Sequence, residues 1–112
     1  MKLNHLNLTV SDVTATIDFL VKYFGLQNGN TRGNTFAVFF DDGGLVLTLM
    51  KGKQVSYPNT FHIGFIQESE DRVNEINQRM KDDGFDVEPP QRSHAWTFYV
   101  RAPGGFTVEV LC

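Results

Sequence analysis

The chain has 112 residues, 41% of them apolar and 21% charged, which fits a single folded domain and excludes a disordered or low-complexity segment. Its net charge of −3 is spread without a basic stripe, so neither a nucleic acid nor an acidic membrane surface is expected as a partner. No run approaches the ~20 apolar residues of a spanning helix, and the one cysteine, Cys112, has no partner for an internal disulfide.

The N-terminal residues enter directly into an alternating strand pattern without a long apolar segment, so no signal peptide is expected. With the lone cysteine, this points to a soluble protein of a reducing, cytoplasmic compartment. Ten phenylalanines suggest a sheet-rich core or an aromatic-lined cavity, and composition does not separate the two.

Residues 3–10 read as a strand, with Leu6, Leu8 and Val10 on one face and Leu3, His5, Asn7 and Thr9 on the other. Ser11 or Asp12 can cap a following helix whose apolar stripe is Val13, Ile17, Leu20 and Phe24, and Gly25 ends it. Three strands follow, near 26–31, 35–40 and 45–50, separated by a Gly33-Asn34 turn and an Asp41-Asp42-Gly43-Gly44 turn. The aperiodic stretch 51–59 reads as a short linker joining two halves of one unit.

A strand over 60–66 opens the second half. Ser69 caps a helix with Val73, Ile76 and Met80 on its apolar face, and Gly84 stops it. Strands are expected near 85–88, 96–101 and 106–111, the last two joined by a Pro103-Gly104-Gly105 turn. In the last strand Phe106, Val108 and Val110 alternate with Thr107, Glu109 and Leu111, which places a carboxylate opposite the apolar set. A carboxylate on so apolar a strand is either on a wet face or, if buried, paired, protonated or bound to a metal.

Both halves therefore read βαβββ. His5 falls on His62, Gly25 on Gly84, Thr35-Phe36 on Thr97-Phe98, and Gly43-Gly44 on Gly104-Gly105, at an offset of about 57 to 62 residues. The same overlay puts Thr48 where the second half has Glu109. The fold class expected is α+β: two tandem βαβββ modules, 1–50 and 60–112, forming a curved, mostly antiparallel eight-stranded sheet or half-barrel with one helix per module.

On these residues the chain resembles the vicinal oxygen chelate superfamily of glyoxalases, fosfomycin-inactivating enzymes, extradiol dioxygenases and bleomycin resistance proteins. The matching segments are Asn4-His5-Leu6-Asn7-Leu8 with Ser11-Asp12, Phe24-Gly25-Leu26, Phe61-His62-Ile63-Gly64-Phe65 and Ala102 to Glu109. The resemblance implies a divalent metal (Mn, Fe, Zn, Ni or Co) held by His5, His62 and Glu109. Thr48 departs from the glyoxalase I pattern, which has a further carboxylate at that position. Two imidazoles and a carboxylate leave positions open for substrate oxygens, so a metal-dependent enzyme acting on a small oxygen-rich substrate is implied, through a stabilised oxyanion or enolate. Lyase, transferase and dioxygenase chemistry all remain open. The alternative is a metal-free protein of the bleomycin-resistance type that binds a small molecule or antibiotic.

Further candidates are His94 as an acid or base, and Asn7, Thr48, Trp96, Tyr99 and Arg101 as pocket residues. Arg101 shares the Tyr99 face and suits an anionic substrate group. Family members of this size pair as homodimers, which is the assembly expected here.

Overall fold

The computed structural model describes residues 1–112. The elements run β1 (His5–Val10), α1 (Val13–Phe24), β2 (Gln27–Arg32), β3 (Phe36–Phe40), β4 (Val46–Lys51), β5 (His62–Ile66), α2 (Glu70–Asp82), β6 (Gln91–Arg92), β7 (Trp96–Arg101) and β8 (Thr107–Leu111). This is βαβββ twice over. The eight strands fall into two four-stranded mixed sheets, ordered β1-β4-β3-β2 and β5-β8-β7-β6. In each, the first strand runs parallel to the last and the other pairings are antiparallel.

One compact unit comprises 1–57 with the turn 103–105, and the other comprises 58–102 with 106–112. In the first, Asp12 rather than Ser11 caps α1, its Oδ1 accepting from Ala15 N at 3.0 Å. Gly25 adopts φ 63 at the C-terminus, the left-handed conformation that glycine accepts without Cβ strain. The buried stripe of α1 is Val13, Thr16, Phe19, Leu20 and Tyr23, so the expected stripe through Ile17 and Phe24 is rotated. The helix carries apolar residues on several faces, and the aromatic pair Phe19 and Tyr23, 5.4 Å apart, takes the inward position. The core of this unit is completed by Leu8, Val10, Ala37, Phe39, Leu47 and Leu49, the alternate residues of β1, β3 and β4.

The 103–105 turn is held by Ser11 N donating to Gly104 O at 3.1 Å and by Thr16 Oγ1 donating to Pro103 O at 2.9 Å. Gly104 is required here. Its φ is 98, and a Cβ would lie 2.5 Å from Thr16 Oγ1 and 2.9 Å from Val10 Cβ.

In the second unit, Ser69 Oγ accepts from Arg72 N at 3.1 Å to start α2. Val73, Ile76, Asn77 and Met80 are its buried residues, opposite Phe98, Val100, Phe106, Val108 and Val110. The segment 85–88 is not a strand, contrary to expectation. Pro89 and Pro90 follow it, and proline cannot donate to a ladder. Asn77 Nδ2 instead donates to Glu88 O at 2.9 Å, and the short strand forms after the prolines, at Gln91–Arg92.

The register also corrects the overlay of the two halves. Val38 pairs with Thr48 and Tyr99 with Glu109, so Phe36 corresponds to Thr97 and Val38 to Tyr99. The overlay of Thr35 on Thr97 is one residue out, and in a strand one residue exchanges the two faces. Neither helix is long and apolar enough to cross a membrane.

Candidate functional site

Each sheet has a face away from its helix, and the expected polar residues lie there. In the second unit the cross-strand rows are His62, Thr107 and Arg101, then Gly64, Glu109 and Tyr99, then Ile66, Leu111 and Thr97. Side chains in one row share a face. Glu109 occupies the middle of this array and is only 4% exposed.

A carboxylate so buried requires partners. Its Oε2 accepts from Thr97 Oγ1 at 2.6 Å and lies 2.6 Å from His94 Nε2. Tyr99 is a further hydrogen-bonding neighbour. Burial alone would raise the Glu109 pKa, but the hydrogen bonds from Thr97, His94 and Tyr99, with the attraction of His94, more than offset it and hold the carboxyl below its ordinary range. Tyr99 moves the other way, its phenol raised by burial and then by the Glu109 charge and hydrogen bond.

The other oxygen, Oε1, faces His62 Nε2 at 3.4 Å. His62 Nδ1 lies 3.0 Å from Thr60 O, and because a carbonyl only accepts, Nδ1 carries the proton. In the neutral ring Nε2 therefore presents a lone pair toward a carboxylate oxygen. Two electron-rich donors facing one another call for a cation or a proton between them. Two donors bound to one tetrahedral ion at about 2.0–2.2 Å stand about 3.4 Å apart, so the pair fits two positions on a divalent metal. Gly64 sits beside the pair, where a Cβ would lie 3.4 Å from Leu111 Cδ2 and 4.0 Å from Glu109 Oε1. A cavity of about 450 Å³ adjoins the pair, lined by Asn59, Thr60, His62, Tyr99 and Thr107. Another, of about 330 Å³, includes Gln91, Ser93, Thr97 and Tyr99 in its wall.

In the first unit His5 Nε2 lies 3.4 Å from Thr48 Oγ1, and Thr48 Oγ1 donates to Asn7 Oδ1 at 2.7 Å. The three expected residues are thus brought together around a hydroxyl. The remaining open-face neighbours on β3 are Phe36, Val38 and Phe40. A cavity of about 570 Å³ in this unit is lined by Thr35, Phe36, Met50, Lys51, Gly52 and Lys53.

Among the sequence candidates, His62, Glu109, His94 and Tyr99 meet in one cluster, and Arg101 stands on the same face. Trp96 does not: it lies on the helix-bearing face, where Nε1 donates to Asn74 Oδ1 of α2 at 2.8 Å and Arg92 stacks on its ring at 5.3 Å. It therefore stands apart from the cluster around Glu109. His94, the candidate acid or base, has its Nε2 against Glu109 Oε2. No group of three or more His, Cys, Asp or Glu stands ready to hold a metal ion. Thr97, Gly64 and the Thr60 carbonyl were missed. Thr97 could have been found by folding the hairpin about Gly104, which sets Tyr99 opposite Glu109 and Thr97 on the same face.

Residues 2–110 match the model of the glyoxalase/bleomycin resistance protein/dioxygenase superfamily. The chain belongs to that superfamily. A protein of Bacillus cereus described as a possible glyoxalase is 64% identical, with a TM-score of 0.97, over 100% of this chain and 99% of its own. The superfamily fold is shared more distantly with lactoylglutathione lyase from Agrobacterium tumefaciens, at 22% identity and a TM-score of 0.77, covering 98% of this chain and 92% of that one. It is also shared with the fosfomycin resistance protein FosX from Listeria monocytogenes, at 24% identity and a TM-score of 0.82, covering 98% and 90%. That FosX structure, of an E126Q mutant, holds Mn(II) and 1S,2S-dihydroxypropylphosphonic acid. No curated protein matches the chain. Within the superfamily the fold alone selects no activity.

Proposed function

We propose that this superfamily member is a metal-dependent enzyme acting on a small oxygen-rich substrate, with His62, Glu109 and the first-module His5 as ligands of one divalent ion. The observation that carries the reading is the facing pair of His62 Nε2 and Glu109 Oε1 at 3.4 Å, with the His62 proton held on Nδ1 by Thr60 O. When bound, the ion would supply Lewis-acid polarisation of adjacent substrate oxygens and stabilise negative charge growing on one of them.

The chain's own residues orient and select. The Thr60 carbonyl fixes the His62 ring by a second-sphere hydrogen bond of the kind that sets tautomer and basicity. Tyr99, at the edge of both second-unit cavities, keeps its phenolic proton to a higher pH than usual and engages Glu109 with it. Arg101, exposed on the His62 row and making no ion pair, suits an anionic substrate group. Asn7 and Thr48 offer neutral hydrogen-bonding groups beside His5. Assembly as a homodimer belongs to this proposal.

A second reading is a metal-free small-molecule binder. It is favoured by the Glu109–His94 contact, which partners the buried carboxylate without any ion, and by the lack of a ready-made group of three ligands. Metal analysis of tag-free protein separates the two. Stoichiometric metal in the wild type, lost in His5→Ala and in Glu109→Gln, supports the enzyme, whereas wild-type protein that takes up no metal when offered Mn(II), Zn(II), Ni(II), Co(II) or Fe(II) favours the binder.

A further inference from the structure

We propose that His94 is a positioning residue for Glu109: by holding Oε2, it turns Oε1 toward His62 Nε2. The inference rests on the metal reading of Glu109.

His94 lies in the three-residue connection between β6 and β7, closed by Ser93 N donating to Ala95 O at 2.9 Å and by the pairing of Arg92 with Trp96. An ion pair from Arg92 to Glu70 ties the start of this hairpin to α2. From there the ring reaches over β7 to Glu109. Its Nε2 is 2.6 Å from Oε2, and since a carboxylate only accepts, Nε2 carries the proton. Ser93 Oγ accepts from His94 N at 2.6 Å and stands 3.0 Å from Nδ1, so the hydroxyl proton can point to Nδ1 and fix the same tautomer. Ser93, His94 and Glu109 thus form a directed chain of hydrogen bonds.

Thr97 supplies the other donor to Oε2 at 2.6 Å. A carboxylate oxygen has two lone-pair directions, and His94 and Thr97 take both on Oε2, with Tyr99 the third hydrogen-bonding neighbour of the carboxylate. Oε1 is left facing His62. A metal held by this carboxylate would bind through one oxygen. With His94 removed, Oε2 regains a lone pair and two-oxygen binding becomes available. The His94 side chain is 53% exposed, so core packing does not depend on it.

The test is a titration of Co(II) into metal-free protein, read by visible absorption and by affinity, with folding checked by circular dichroism. The variants are His94→Ala, His94→Phe, which keeps an aromatic ring and lacks the donor, and His94→Gln, whose amide restores a donor. One Co(II) in the wild type, binding weakened about tenfold or more in the Ala and Phe variants with an altered band, and recovery of both in the Gln variant, is the expected result. Unchanged affinity and band in His94→Ala or His94→Phe overturns the positioning role and leaves the metal reading intact. Wild-type protein that binds no Co(II) overturns both.

Discussion

The two modules place a histidine from their first strand at the same distance, 3.4 Å, from a side chain of their last: His5 to Thr48 in one, His62 to Glu109 in the other. Their surroundings differ. Around Thr48 the open face offers Asn7 and the apolar Phe36 and Val38, whereas around Glu109 the corresponding positions are Gly64, Thr97 and Tyr99, joined by His94. A hydroxyl is satisfied by one neighbour, and a buried carboxylate takes several donors. The two modules share one frame, and the demands of a single buried charge set the whole neighbourhood of the second.

If the frames are equivalent, their cores should respond alike. Phe39 and Phe106, the largest fully buried side chain of each unit, are 0% and 1% exposed, and truncating either to alanine is expected to cost about 3–5 kcal/mol, measured by urea unfolding. A loss well below that at one site only would break the equivalence. The polar faces should respond unequally. Thr97→Val strips a donor from a buried carboxylate and is expected to cost about 1–3 kcal/mol, whereas Thr48→Val removes a neutral hydrogen bond on a less demanding face and is expected to cost about 1 kcal/mol. Equal losses would remove the distinction drawn between the modules.

The smallest effect is a pH dependence belonging to the second module. The folded-state pKa of Glu109 lies below its ordinary value of 4.5, so the folded state binds the proton less readily than the unfolded chain. Its contribution to stability is present in full above about that ordinary value and is lost as pH falls through the lower folded value. Wild-type stability should fall more steeply than that of Glu109→Gln as pH drops below about 4.5. Parallel curves from unfolding at each pH would contradict the assignment.

Much of this was legible in the chain. Alternation along 106–111 placed Glu109 away from the helix, and the overlay of His5 on His62 located both histidines at matching positions. What failed did so for identifiable reasons. Thr35 and Phe36 are adjacent polar and aromatic residues, so a one-residue slip against Thr97-Phe98 leaves the pattern superficially intact while exchanging faces. The face taken by Trp96 was not legible, because aromatic residues occupy both sides of β7, and only its bond to Asn74 assigns it to the helix side. The Thr60 carbonyl carries no side-chain signal at all, so its control of the His62 tautomer requires coordinates.

The central claim is that His62 holds its proton on Nδ1 and offers Nε2 toward Glu109 Oε1. Nitrogen-15 NMR of the histidine rings in metal-free protein, at a pH where they are neutral, reads this directly. The expected spectrum has a protonated Nδ1 and an unprotonated Nε2 for His62, with the Nε2 resonance moving when Zn(II) is added. A His62 ring protonated on Nε2, or an Nε2 resonance indifferent to the metal, would contradict the account.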